Sequence, residues 1–296
     1  MTLNAVTCSP HRYQLYLLRR LTYTEQQAVF GVTIMNNKIF VVYTGLPFIV
    51  VYMSQQPYTR LANISINGLK NPQGIAAGSR CLYVSDPPSA AIWRVKAADS
   101  KVDQWLSGVK AVSVSVTSEE KLVLLVAVDR QGSAAERNLT WRGEIQIYSR
   151  GAEKETVIRL SCDITVPYCV VMTTRKTFIV SYGLDCHDIY RVCEMDATGR
   201  ILKTFGSTTG DGVGQLNMPR HVSLDDDDRI IVADTYNQRV LLLSKQLVLQ
   251  RVLVTWQHPK SPGEVRYPYR LHYDSHSGRL LVGFHNGHVD IYQLRA

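Results

Sequence analysis

No run of 18 apolar residues occurs anywhere in the 296-residue chain, which excludes a simple helical membrane span. The opening stretch MTLNAVTCSPHRYQLYLLRRLTY has neither an uninterrupted apolar core nor a small-residue cleavage pattern, so a secretory signal is not expected. The default expectation for the compartment is the cytoplasm. Tight cysteine pairs are also absent. Of six cysteines, Cys162, Cys169, Cys186 and Cys193 are separated by six, sixteen and six residues, whereas structural zinc favours two to four. With Cys8 and Cys81 the count is even, as in disulfide frameworks, but without a secretory signal free thiols are expected. The sequons at Asn63 and Asn138 matter only in a secreted chain. Neither G-x-S-x-G nor another nucleophile motif occurs. No catalytic residue, metal site or cofactor is expected.

The composition that is present belongs to a folded protein. Hydrophobic residues make up 45% and charged residues 20%, enough to bury a sizeable core and too apolar for global disorder. The length is large for one ordinary domain, yet all-β architectures reach it as single units. Net charge is +8, which favours an anionic partner without choosing among nucleic acid, an acidic protein face and a lipid surface.

Self-similarity is the strongest signal. The runs IFVVY, LYVSD, LLVAV, FIVSY, IIVAD and LLVGF end at residues 43, 86, 128, 182, 234 and 284. Each is β-branched or aromatic and follows a polar turn, the pattern of a strand with its punctuation. Spacings of 42 to 54 residues match propeller blades, which repeat at roughly 40–50 residues with four strands each. A strand often opened by proline precedes the run (NPQGIAAG, VPYCVVMT, MPRHVSLD, YPYRLHYD), and third and fourth strands follow it. The sequence therefore predicts an all-β fold, a six-bladed β-propeller of four-stranded antiparallel blades over residues 13–296, behind a tail at 1–12.

The last blade stops short of a fourth strand, and the segment 13–21 (YQLYLLRRL) is left over at the other end. It is expected to supply the missing outer strand and close the ring, which removes exposed edges. Leu15, Leu18 and Leu21 also fit a helical face, so a helix is the competing reading. The longer spacings come from insertions at 129–143 and 206–217.

One blade, FGSTTGDGVGQLNMPRHVSLDDDDRIIVADTYNQRVLLLS, resembles the NHL repeat. The matching features are the loop Gly210–Gly214, Pro219, the turn Asp225–Asp228, Ala233-Asp234, and Asn237 with Arg239. The blade NPQGIAAGSRCLYVSDPPSAAIWRV is a fair match, and the other four keep only the strand rhythm. The resemblance implies a six-bladed propeller like those of tripartite-motif (TRIM-NHL) ubiquitin ligases and related translational repressors, which bind RNA or protein through one face. No RING, B-box or coiled-coil pattern occurs among these residues.

Four consecutive aspartates suit neither the alternating ligands nor the glycine of a calcium loop, so Asp225–Asp228 is read as a solvated turn. Asp234, Asn237 and Arg239 are read as shaping a loop. The histidines (His11, His187, His221, His258, His272, His276, His285 and His288) form no repeated pattern. A metal-dependent hydrolase or lyase working in the central channel is kept as the alternative function. The leading candidate is a face. Loops leading into the inner strands carry Gln73, Tyr168, Arg220, His221, Tyr269 and Arg270. Loops between second and third strands add Pro87, Pro88, His187, Tyr236, Gln238, His285 and Asn286, with Asp188 opposing. Interleaved rings and cations suit single-stranded RNA, whose bases stack while its phosphates pair, and equally suit a protein partner. The residues expected to bind are Tyr168, Arg220, His221, Tyr236, Tyr269, Arg270 and His285, with no membrane and no small-molecule cofactor.

Overall fold

The computed structural model describes residues 14–23, 27–128, 142–184, 189–256 and 266–295. They form six four-stranded antiparallel sheets arranged as a ring. β1 (Gln14–Thr22) comes first and belongs to the last blade. Blade 1 is β2 (Val29–Met35), β3 (Lys38–Tyr43), β4 (Phe48–Met53) and β5 (Arg60–Ser65). Blade 2 is β6 (Gly74–Ala77), β7 (Cys81–Asp86), β8 (Ala91–Lys96) and β9 (Val102–Ser107), with a single 3₁₀ turn at Pro87–Ser89. Blade 3 is β10 (Ala111–Val116), β11 (Leu122–Val128), β12 (Arg142–Tyr148) and β13 (Lys154–Arg159). Blade 4 is β14 (Val166–Met172), β15 (Phe178–Leu184), β16 (Ile189–Met195) and β17 (Ile201–Phe205). Blade 5 is β18 (Pro219–Leu224), β19 (Ile230–Asp234), β20 (Arg239–Leu243) and β21 (Leu249–Thr255). Blade 6 is β22 (Pro268–Asp274), β23 (Arg279–Phe284) and β24 (His288–Arg295), completed by β1. No helix among the described residues is long and apolar enough to cross a membrane.

The second strand of every blade is apolar on both faces because sheets pack against both sides of it. All five residues of β19 are buried. A separate apolar cluster lies between each pair of neighbouring blades. Val41 and Tyr43 of blade 1, for instance, meet Leu281 and Ile291 of blade 6, and Val170 and Phe178 of blade 4 meet Leu125 and Ile145 of blade 3. The molecule is thus held together as a ring of similar layers, as expected where each unit buries its hydrophobic face against the next.

β1 settles the choice left open for residues 13–21. It is a strand antiparallel to β24, running from Gln14 opposite Arg295 to Thr22 opposite His288, with a bulge between Leu17 and Arg19. The closure has its own polar clasp. Arg20 donates from Nε and Nη2 to the Asp290 carboxylate at 2.6 and 2.9 Å, and Tyr292 donates its hydroxyl at 3.1 Å. Arg266 lies 3.8 Å from the same carboxylate, which is completely buried.

The acidic turn differs from its expected solvated state. Asp226 and Asp227 are exposed, but Asp225 and Asp228 are buried at 7% and 4%. Asp225 caps its own turn by accepting the Asp227 and Arg229 amides and the Arg229 guanidinium. Asp228 reaches the neighbouring blade and accepts from the Thr174 amide at 2.9 Å and hydroxyl at 2.6 Å. A carboxylate with several donors stays buried without a metal, and hydrogen-bond geometry of this kind leaves no mark in a run of identical aspartates. The expected loop-shaping role of Asp234, Asn237 and Arg239 is what the structure has. Asp234 accepts from the Asn217 amide, Asn237 and Arg239, while Asn237 and Arg239 donate to the Gly210, Asp211 and Gln215 carbonyls. The glycine-rich loop is thereby stapled to blade 5. Cys81, Cys162, Cys169 and Cys193 are free thiols, and Cys8 and Cys186 lie outside the described residues.

Candidate functional site

Strands alternate in direction, so all six inner strands start on one face of the ring, called here the upper face. In β2, β10, β14, β18 and β22 the pairing register slips by one residue just after the start. The residues that the ladder skips are Phe30, Val112, Tyr168, Arg220 and Tyr269. A bulge of this kind bends the strand and re-aims the extra side chain. In blade 2 the ladder begins just after this position, at Gly74, and Gln73 takes the corresponding place with its amide bonded to the Ser85 carbonyl at 2.9 Å. One side chain per blade therefore forms a ring at the upper mouth of the central channel. Five of them, with Val166, Pro167 and Arg270, line a cavity of about 160 Å3.

The ring is a cation–aromatic stack on one side. The Arg220 guanidinium carbon sits 4.8 Å from the Tyr168 ring centre and 5.4 Å from that of Tyr269. Arg270 lies 4.7 Å from the Tyr269 ring and 5.3 Å from that of Phe30, and the two rings are 5.0 Å apart. His285, exposed at the rim, meets Tyr269 edge-on at 5.7 Å. Arg220 and Arg270 differ in what their N–H groups do. Arg270 is buried and donates to the carbonyls of Phe30, Tyr269 and Gln73 at 2.9, 3.0 and 3.0 Å, so it straps blades 6, 1 and 2 together. Among the described residues, Arg220 donates to the soft Met218 sulfur at 3.5 Å, its buried Nε meets no acceptor, and no carboxylate pairs with it. A cation held between rings keeps its positive charge at the mouth of the channel.

The next register position carries Gly31, Gly74, Ser113, Cys169, His221 and Arg270 and forms the throat. It leaves about 10 Å3, room for about one water. Glycine is required at 31, where a Cβ would sit 2.8 Å from the Ile75 amide nitrogen across the blade boundary. His221 lies in this throat and its Nδ1 accepts from the Leu271 amide at 3.4 Å. His272, one layer below, lies 3.5 Å from the Thr33 hydroxyl. Burial in the channel holds His272 down to about 4 against a small opposing pull from Asp274, and holds His221 well below the usual range, with Arg270 and His272 adding to it.

A pH dependence follows. Below about 6.5 the unfolded histidines take up protons that the folded ones refuse, His272 until about 4 and His221 well below its usual range, so the folded state binds fewer protons and loses stability as pH falls below about 6.5. The slope is at most about 1.4 kcal/mol per pH unit for each ring. Thermal unfolding between pH 7 and 5 should therefore be flatter in the double variant His221→Gln/His272→Gln than in the wild type; parallel curves would contradict this assignment.

The structure thus brings together Tyr168, Arg220, Tyr269, Arg270 and His285, and puts His221 deeper. Tyr236 is half exposed and stands with Tyr267 as an edge-on pair at 5.5 Å. Pro87 and Pro88 form the 3₁₀ turn, and the Gln238 side chain accepts from the Arg266 amide at 3.4 Å. The Asn286 Oδ1 is buried and meets no donor among the described residues. His187 and Asp188 lie outside the described residues. Phe30, Val112 and Tyr267 belong to this face and were not foreseen. The signal for the first two is register: Phe30 in Val29-Phe30-Gly31 and Val112 in Ala111-Val112-Ser113 stand where Tyr168 stands in Pro167-Tyr168-Cys169. Among the described residues, no group of three His, Cys, Asp or Glu side chains is placed to hold a metal.

Residues 216–241 match the NHL repeat. No curated protein matches the chain significantly. Solved structures share its fold. A protein of unknown function from Bacteroides thetaiotaomicron superimposes with a TM-score of 0.65 at 13% identity, over 96% of this chain and 76% of that one. An auxiliary nutrient binding protein from the same organism gives 0.63 at 11%, over 91% and 69%. A virginiamycin B lyase from Staphylococcus aureus gives 0.60 at 8%, over 95% and 99%. At such identities the likeness is one of fold alone. The chain is a six-bladed β-propeller that carries an NHL repeat at residues 216–241.

Proposed function

We propose that the protein is a non-enzymatic recognition platform that binds single-stranded RNA across its upper face. The observation that carries this reading is Arg220, a guanidinium held between the Tyr168 and Tyr269 rings with no described carboxylate paired to it. Bases stack on rings and on guanidinium planes while phosphates pair with cations. Tyr236, Tyr267 and His285 extend the same surface outward, and the +8 charge favours an anionic strand. The setting is post-transcriptional regulation in the cytoplasm, in line with the resemblance to TRIM-NHL proteins. A hydrolase or lyase reaction centred in the channel is the weaker alternative, since the throat is closed by Arg270 bonded to backbone carbonyls of three blades.

Fluorescence anisotropy with a labelled single-stranded RNA of about 12 nucleotides tests the reading. Saturable binding that weakens steeply between roughly 50 and 200 mM salt is expected. Absence of binding, or binding indifferent to salt, would replace RNA by a protein partner on this face.

A further inference from the structure

The throat divides the central channel into two chambers, and the lower one is separate from the RNA-binding mouth. It has a volume of about 230 Å3, opens on the lower face, and ends blindly beneath His221 and Arg270. An apolar cavity of about 150 Å3 is enough to take up benzene, so this chamber has room for an aromatic ring with a small head group. Its lining sets the apolar side chains of Ala77, Val114, Val116, Val171, Met172 and Leu271 beside the polar groups of Thr33, Ser115, His221, Ser223 and His272.

The roof selects the head group. His221 accepts the Leu271 amide at Nδ1, so the neutral ring carries its proton on Nε2. Among the described residues Nε2 meets no acceptor. Just above it, Arg270 is a buried cation whose hydrogen-bond partners are all backbone carbonyls. The side chains that act on it electrostatically are Tyr269, Cys169 and Arg220, none of them a carboxylate. The blind end therefore offers one donor, His221 Nε2, beneath a buried positive charge that no described carboxylate balances. Ser115 donates its hydroxyl to the Val170 carbonyl, Thr33 pairs with His272, and the Ser223 hydroxyl accepts the Tyr273 amide and keeps its own proton. Asp274, at the lower end of β22, acts on both His272 and Tyr273 and disfavours ligands with more than one negative charge.

The geometry points to a second binding site in the lower chamber for a small monocarboxylate with a compact apolar or aromatic body, its carboxylate against His221 Nε2 and its body against the channel wall. No covalent step is involved. The site stands independently of RNA binding on the opposite face.

Fluorine NMR titration with 4-fluorobenzoate is the test. Saturable binding with a dissociation constant on the order of 0.1 mM is expected for a ligand of this size. The neutral isostere 4-fluorobenzamide should bind at least tenfold more weakly. Ala77→Leu, which fills the chamber, and His221→Phe, which removes the donor, should each cost at least tenfold in variants shown to be folded by circular dichroism. Should either fail to fold, the wild type still decides, because the His221 imidazole nitrogen resonance must move during the titration. A flat titration, equal binding of the amide, displacement by inorganic phosphate, a stationary His221 resonance, or unchanged affinity in folded Ala77→Leu would each overturn the proposal.

Discussion

Replacing Asp290 by alanine should lower the melting temperature by roughly 6–12 °C. The carboxylate is fully buried in β24 and receives two hydrogen bonds from Arg20 on β1 and one from Tyr292, with Arg266 close by. Removing one side of a buried pair costs about 3–5 kcal/mol, because the remaining charge loses its partner while staying desolvated. Arg20 keeps 29% of its side-chain surface exposed, which places the expected loss near the lower end, about 3 kcal/mol. At about 2–4 °C per kcal/mol for a domain of this size, the shift is large and easily read by calorimetry. The effect has a topological origin as well. Arg20 and Asp290 join the first strand to the last, so weakening them loosens the ring at its seam and exposes the edge of β24. Asp290→Asn, which retains an acceptor, should lose less. An unchanged melting temperature in the alanine variant would show that the seam is held by the apolar contacts of Leu15, Leu18 and Leu21 alone.

The second large effect is expected at Arg220. Arg220→Glu should weaken RNA binding on the order of 100-fold without lowering the melting temperature by more than a few degrees. The substitution removes a stacked cation and puts a repelling charge where phosphate is drawn in. A stacked base or a good bidentate contact is worth about 1–3 kcal/mol, and each 1.4 kcal/mol is tenfold in affinity. Arg220→Lys keeps the charge but loses the planar stack between Tyr168 and Tyr269, and an intermediate loss of about tenfold is expected. Arg270 is unsuitable for the same experiment. Its guanidinium is bound to three backbone carbonyls, so changing it unties the throat before it informs on the ligand.

The contrast between these two arginines shows where a sequence is readable. The blades were legible because a strand buried on both faces must be apolar throughout, and six such runs recur at blade spacing. Ring closure was legible from a missing fourth strand and a spare segment, though Leu15, Leu18 and Leu21 fit a helix equally well until β1 was seen to pair with β24. The upper face was legible where proline marks the inner strand, as before Tyr168, Arg220 and Tyr269. Phe30 and Val112 were not, since β2 and β10 start without proline and the bulge that turns these side chains inward is a property of pairing. The same holds for Arg270, adjacent to Tyr269 and alike in chemistry to Arg220, yet one register step deeper and consumed by carbonyls. Asp228 is a further case, because its partners Thr174 and Arg175 are on another blade.

The most direct measurement is a side-by-side anisotropy titration of one labelled single-stranded RNA against wild type, Arg220→Glu and Lys245→Glu. Lys245 is exposed in the turn between β20 and β21 on the lower face, so the control makes the same change of charge on the opposite side. If the upper mouth is the recognition surface, wild type and Lys245→Glu bind alike at roughly 50 mM salt, lose affinity together at roughly 200 mM, and Arg220→Glu is weaker by about two orders of magnitude at the lower salt. Equal binding by all three proteins, or a greater loss in Lys245→Glu than in Arg220→Glu, would contradict it.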